Sequence, residues 1–108
     1  MKISEILCSD NIRIGLGGTT KNSVIEELVE LIPRVQHDKK IRESIVKAII
    51  AREKLCSTGI GEGVAIPHAK MDIPGSIDLV FGMTPHGIEF EAIDNKPVYI
   101  LFLLLAGK

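Results

Sequence analysis

Apolar side chains recur along this chain at two different periods, and the changes of period mark out the elements. Asn11-Ile12-Arg13-Ile14-Gly15 alternates briefly and stops at Gly15, Gly17 and Gly18, which predicts a short strand followed by a turn. Ile25, Leu28, Val29 and Ile32 then return every three or four residues with Glu26, Glu27 and Glu30 between them, as on a half-buried helix. Thr20 is its expected N-cap, and Pro33 is expected to end it, because proline disfavours helical geometry at Ile32 and lacks a backbone donor. A second helix is predicted from the cap Asp38 to about Lys54 on the stripe Ile41, Ile45, Ala48 and Ile49. Continuing the stripe by three or four residues reaches Arg52. A guanidinium is therefore expected to point where the core begins.

Beyond that helix, residues 57–63 read as a glycine-rich loop, and Val64-Ala65-Ile66 as a strand leading into Pro67-His68. Ile77 to Met83 predicts another strand, and Pro85-His86-Gly87 a turn. Val98 to Leu105 is a continuous apolar run, which predicts a central strand covered on both faces. One strand, two helices and then further strands imply a single α/β layered domain, residues 1–108, built on a mixed sheet.

Composition narrows the classes. Forty-five per cent of the 108 residues are hydrophobic and only 4% aromatic, so the interior is expected to be aliphatic. Thirteen basic residues face 14 acidic ones, for a net charge of −1 with no block of one sign. That balance argues against nucleic acid or an anionic membrane as partner. Cys8 and Cys56 lie far apart, with neither C-x-x-C nor zinc-ligand spacing; they are expected to be reduced thiols, and Cys56 a small buried one. Met1 to Glu5 carries no leader pattern, and nine consecutive apolar residues fall short of the roughly 20 of a membrane helix. The expected setting is soluble and cytoplasmic, without membrane insertion.

Candidate chemistry concentrates between Arg52 and His68. Gly59, Gly61 and Gly63 leave room for backbone amides to approach an anion, and Ser57 and Thr58 add hydroxyl donors. Pro67 forces Ile66 to be extended and stiffens the approach to His68. A histidine of ordinary pKa is largely neutral and nucleophilic near neutral pH. Arg52 offers a permanent cation whose fork matches phosphoryl oxygens. Each residue alone has a plainer reading: Arg52 as a cap on its helix, His68 as a structural histidine, and three glycines as a tight turn. Their conjunction points to phosphoryl transfer.

The run Ser57-Thr58-Gly59-Ile60-Gly61-Glu62-Gly63-Val64-Ala65-Ile66-Pro67-His68 resembles the active-site signature of the type-2 enzyme IIA family of the bacterial phosphotransferase system (PTS). Arg52-Glu53-Lys54 upstream and Phe90-Glu91-Ala92-Ile93-Asp94-Asn95-Lys96-Pro97-Val98 downstream are also similar to that family. The resemblance implies a three-layer α/β/α fold on a mixed sheet. It also implies a phosphocarrier cycle in which His68 accepts a phosphoryl group from HPr, or from its nitrogen-branch counterpart. The group would be held on the ring nitrogen remote from the backbone, steadied by Arg52, and passed to a IIB domain. No metal or organic cofactor is implied, because the histidine itself carries the group.

One departure matters. Family members carry a second active-site histidine and further helices beyond the position of Lys108. His37 and His86 do not match that histidine and are expected at the surface. A chain of this length is therefore expected to leave one sheet face open, and either to self-associate through it or to belong to a longer parent. Two other readings compete. Gly15-Leu16-Gly17-Gly18-Thr19-Thr20-Lys21 sits between strand and helix as phosphate loops do, but lacks both the G-x-x-x-x-G-K-[ST] and the G-x-G-x-x-G patterns. The other is a nitrogen-branch regulatory module that binds target proteins according to its phosphorylation state.

Overall fold

Both helices start at the caps that the sequence offers. The Thr20 hydroxyl oxygen accepts from the Ser23 amide at 3.1 Å, while the Ser23 hydroxyl oxygen accepts from the Thr20 amide at 3.0 Å. Asp38 accepts from the Ile41 amide at 3.1 Å. These contacts satisfy amides that a first helical turn leaves without partners. A computed structural model describes residues 9–35, 38–71 and 77–107. Helices α1 (Lys21–Val29) and α2 (Lys39–Leu55) are joined there by strands β1 (Ile12–Ile14), β2 (Gly59–Gly61), β3 (Val64–Ala65), β4 (His68–Met71), β5 (Ile77–Ile88) and β6 (Val98–Gly107). Asp38 therefore caps a helix that ends one residue beyond its expected end. The first helix stops earlier than expected, at Val29 rather than before Pro33. The amides of Leu31 and Ile32 reach carbonyls only three residues back, which tightens the chain ahead of the proline.

The strands form one mixed sheet in the order β1-β5-β6-β3-β2, with β4 also paired to β6. β6 is central, antiparallel to β5 and parallel to β3 and β4. On one face Val80, Leu101, Leu103 and Leu105 are buried against Val24, Ile25 and Leu28 of α1 and Ile45 and Ile49 of α2. The described residues thus build a helical layer and a sheet, two layers of the expected three. The fold is α/β, as the sequence predicted.

Two expectations about the strands are corrected. Pro85-His86-Gly87 is not a turn: β5 runs on to Ile88, and only its register slips between Met83 and Ile88. Pro85 has no N–H for the ladder, so pairing lapses there and resumes at Ile88. His86 is exposed in this stretch, as expected, whereas His37 lies outside the described residues. Nor do the described residues lay helices on both faces of β6: the second face carries none, although Leu79 there is buried. Opposite the helices, Phe81 pairs with Phe102, Leu79 with Leu104 and Met83 with Ile100, and β1 extends this row with Ile12 and Ile14. Phe81 and Phe102 shield each other edge to face with ring centres 5.0 Å apart, yet Ile14 is 68% exposed.

The loop from Gly15 to Gly18 is filled from within. The amides of Gly15 and Leu16 donate to the Met83 carbonyl, and those of Gly17 and Gly18 donate to the Glu27 carboxylate at 2.9–3.1 Å. These donors are engaged by the chain's own acceptors, which disfavours the phosphate-loop reading. Burial raises the pKa of Glu27, but the two amides and the Arg13 guanidinium at 3.3 Å outweigh it and hold the carboxyl below its ordinary value.

A carboxylate whose folded pKa is depressed contributes stability above its unfolded pKa and loses it as pH falls through the folded one. The stability difference between wild type and Glu27→Gln is therefore expected to be full above about pH 5 and to shrink in acid, as urea titrations across pH would record. The open sheet face makes a separate prediction, since apolar patches beyond a few hundred Å² are rare on monomers. The 108-residue chain is expected to bind an apolar dye and to associate as its concentration rises, as followed by light scattering. A monomer that takes up no dye would show that half-burial of this face is sufficient.

Candidate functional site

The edge strand that carries His68 is broken once, and the break creates the site. Val64 lies opposite Ile100 and His68 opposite Leu104, so β3 and β4 keep one register along β6 on either side of Ile66 and Pro67. Pro67 cannot donate, but its carbonyl still accepts from the Leu104 amide at 2.9 Å. The Ile66 amide points away from β6 and donates to the Thr58 carbonyl at 3.1 Å. The Ile66 carbonyl meets Nδ1 of His68 at 2.8 Å. A carbonyl only accepts, so Nδ1 carries the proton and Nε2, the nitrogen remote from the backbone, keeps its lone pair.

His68 is half-buried and lines an open depression of about 530 Å³ between the end of α2 and β4. Ala48, Ala51, Arg52, Leu55, Ala69 and Lys70 form the rest of its wall. Helical spacing brings Ala48, Arg52 and Leu55 to one side of α2. Along β4, Ala69 turns into the core, whereas His68 and Lys70, two residues apart, emerge together. The structure thus places Arg52 and His68 in one depression and adds a second cation, Lys70.

Arg52 itself departs from expectation. It is half-buried rather than directed into the core, and its Nη1 donates to the Cys56 carbonyl at 2.7 Å, closing the helix C-terminus. The cap reading and the site reading hold together: the same guanidinium closes the helix and borders the depression. The buried charge of this turn is the next residue, Glu53, only 7% exposed. Cys56 is exposed, not buried, because the chain leaves the helix there in an extended conformation.

The glycine-rich segment is also more ordered than a loop. Gly59–Gly61 forms β2, antiparallel to β3, and Gly61, Glu62 and Gly63 turn through successive positive φ angles of 98°, 57° and 80°. Several donors of this segment are engaged within the chain. The Thr58 amide and hydroxyl donate to Glu53, and the Ser57 hydroxyl donates to the Phe90 carbonyl at 2.6 Å. The amide of Gly59 donates to Ser57 Oγ at 3.1 Å and that of Glu62 to Asp94 at 2.9 Å. The amides of Glu62 and Lys96 hold the Asp94 carboxyl below its ordinary pKa. Ser57, Thr58, Gly59, Gly61 and Gly63 do not line the depression; Thr58 is tied to its rim only through the Ile66 amide.

Residues 5–108 match the family described as the phosphoenolpyruvate-dependent sugar phosphotransferase system, EIIA 2. The chain belongs to this family. It is 35% identical over 106 residues to a fructose-specific EIIABC component of Bacillus subtilis, covering 98% of this chain and 16% of that one. It is 33% identical over 107 residues to a nitrogen regulatory protein homolog of Haemophilus influenzae, covering 97% and 65%. The crystal structure of nitrogen regulatory protein IIA-Ntr from Neisseria meningitidis superposes with a TM-score of 0.89 at 34% identity, over 98% of this chain and 71% of that one. The chain thus spans less than two thirds of the length of these two sequence relatives.

Within this EIIA chain, Glu53, Lys21 and Lys70 escaped the sequence reading. Lys70 was within reach of it, because a two-residue spacing from His68 in a strand puts both on one side. Glu53 and Lys21 lie 32 positions apart, and no local pattern joins them. Gly59, by contrast, carries a packing constraint. A Cβ there would stand 2.8 Å from the Ala92 Cβ and 2.9 Å from its Cα, so backbone would have to move. Gly59→Ala is expected to cost about 1–3 kcal/mol, measured by chemical denaturation. An unchanged midpoint would mean that the 90–95 segment yields freely.

Proposed function

We propose that this chain carries a phosphoryl group on His68, accepting it from phospho-HPr or a nitrogen-branch equivalent and passing it to a IIB domain in sugar uptake. The observation that carries the reading is the hydrogen bond from His68 Nδ1 to the Ile66 carbonyl, which leaves Nε2 nucleophilic in a depression shared with Arg52. In the transfer, the Nε2 lone pair forms a bond to phosphorus while the donor's N–P bond breaks and its electron pair returns to the donor nitrogen. The His68 ring gains positive charge, and Nδ1–H keeps its bond to the carbonyl throughout. Arg52 offers further N–H groups of its fork to the phosphoryl oxygens, and Lys70 adds a point charge. The reading calls for no metal or organic cofactor. It places the chain in the cytoplasm, with Leu55, 83% exposed beside Arg52, as apolar surface for a partner.

A second reading has support of its own, because the relatives include nitrogen regulatory proteins as well as fructose-specific components. In it, the phosphorylation state of His68 governs binding to a regulated protein. Onward transfer to a fructose-type IIB domain would favour transport. Binding to a target that changes with phosphorylation, without such transfer, would favour regulation.

In a reconstituted relay with labelled phospho-HPr, wild type is expected to take up acid-labile phosphate and His68→Ala none. Arg52→Lys is expected to slow labelling tenfold to a hundredfold with the fold intact, since charge-assisted hydrogen bonds of about 1.5–3 kcal/mol are lost in the transition state. Label that survives acid, or that persists in His68→Ala, would sink the proposal.

A further inference from the structure

A run of hydrogen bonds leads from a buried ion pair to the His68 ring. It starts at Lys21 of α1, whose Nζ stands 2.9 Å from a Glu53 carboxylate oxygen. The Lys21 side chain is 18% exposed and that of Glu53 4%, so both charges are largely withdrawn from water. Lys21 also donates to the Phe90 carbonyl at 3.4 Å and lies 4.7 Å from the centre of the Phe90 ring. The Glu53 carboxylate accepts from the Thr58 amide at 3.2 Å and from its hydroxyl. The Thr58 carbonyl accepts from the Ile66 amide, and the Ile66 carbonyl from His68 Nδ1. Each residue in the run passes the constraint from its donor side to its acceptor side.

Glu53 also directly follows Arg52 on α2. One helical step of about 100° separates them, so fixing Glu53 inward fixes the direction in which Arg52 leaves the helix. The same carboxylate therefore constrains the cation on one side of the depression and the nucleophile on the other. Resting on the phosphocarrier reading, we infer that Glu53 and Lys21 are positioning residues, which set the Arg52 guanidinium against Nε2 of His68 and hold the Nδ1–H tautomer. Neither touches the transferred group. Their effect falls on geometry, and small displacements of reacting groups cost rate steeply.

The test uses the full 108-residue chain with labelled phospho-HPr and two readouts. Glu53→Gln keeps shape and an acceptor for Thr58 but removes the charge. It is expected to lower the maximal rate of His68 labelling at least tenfold with little change in donor KM, while thermal unfolding shows a folded domain. Lys21→Met is expected to act the same way and Lys21→Arg to recover most of the rate. In the Glu53→Gln background, Arg52→Lys should lower the rate less than in wild type, because its geometry is already lost. Independently of any donor, long-range ¹H–¹⁵N spectra are expected to show His68 as the Nδ1–H tautomer in wild type and as a mixture in Glu53→Gln. If Glu53→Gln does not fold, Lys21→Met and Thr58→Val apply the same readouts from the other members of the run. Folded variants with wild-type rates and an unaltered tautomer would overturn the inference. A wild type that takes no label would overturn the phosphocarrier reading instead, and the spectra would still decide the positioning role.

Discussion

A carboxylate taken out of water must be met by donors, and the way Glu53 is met organises this end of the domain. Its partners come from α1 and from the segment that follows α2. Around them, Phe90 accepts from both Lys21 and Ser57. Three stretches far apart in sequence, at Lys21, at residues 53–58 and at Phe90, are thereby held together. Breaking a buried pair by removing one partner typically costs about 3–5 kcal/mol, a large share of a small domain's stability. The cluster is a fixed point beside the more exposed residues of the depression, Arg52 and His68.

The reactivity assigned to His68 originates in the main chain. In this parallel pairing Gly63 and Pro67 turn their carbonyls to β6, and the alternation along a strand turns that of Ile66 the other way. Pro67 takes one donor out of the ladder without shifting its register, and the outward-facing Ile66 carbonyl selects the histidine tautomer. A strand paired on both sides of a two-residue break holds an imidazole better than a loop does. The exposed apolar side chains around it, and the half-covered sheet face nearby, are surfaces still able to make contacts.

Much of this was legible from local chemistry. Thr20 and Asp38 announce their helices because a short side-chain oxygen two or three residues ahead of an amide is a purely local arrangement. The spacing of Ile25, Leu28, Ile45 and Ile49 likewise follows from the period of a single element. The Arg52 to His68 run named the two residues that the fold brings to one depression, since both flank one continuous segment.

What failed were readings that depend on neighbours from elsewhere in the chain. The stripe of α2 placed Arg52 inward, yet Glu53 is the buried one, because its cation is supplied by another helix. The glycine-rich segment read as open to an anion, yet its Thr58, Gly59 and Glu62 amides answer acceptors at Glu53, Ser57 and Asp94. The apolar run of β6 read as buried twice over, but burial depends on what packs against each face, and the helices take one face only. By itself the sequence determined most of the elements, the family and the two residues that meet in the depression, all written in short-range spacing. The tertiary structure alone decided which charge is buried and which donors are already engaged, since each depends on groups brought together from distant positions.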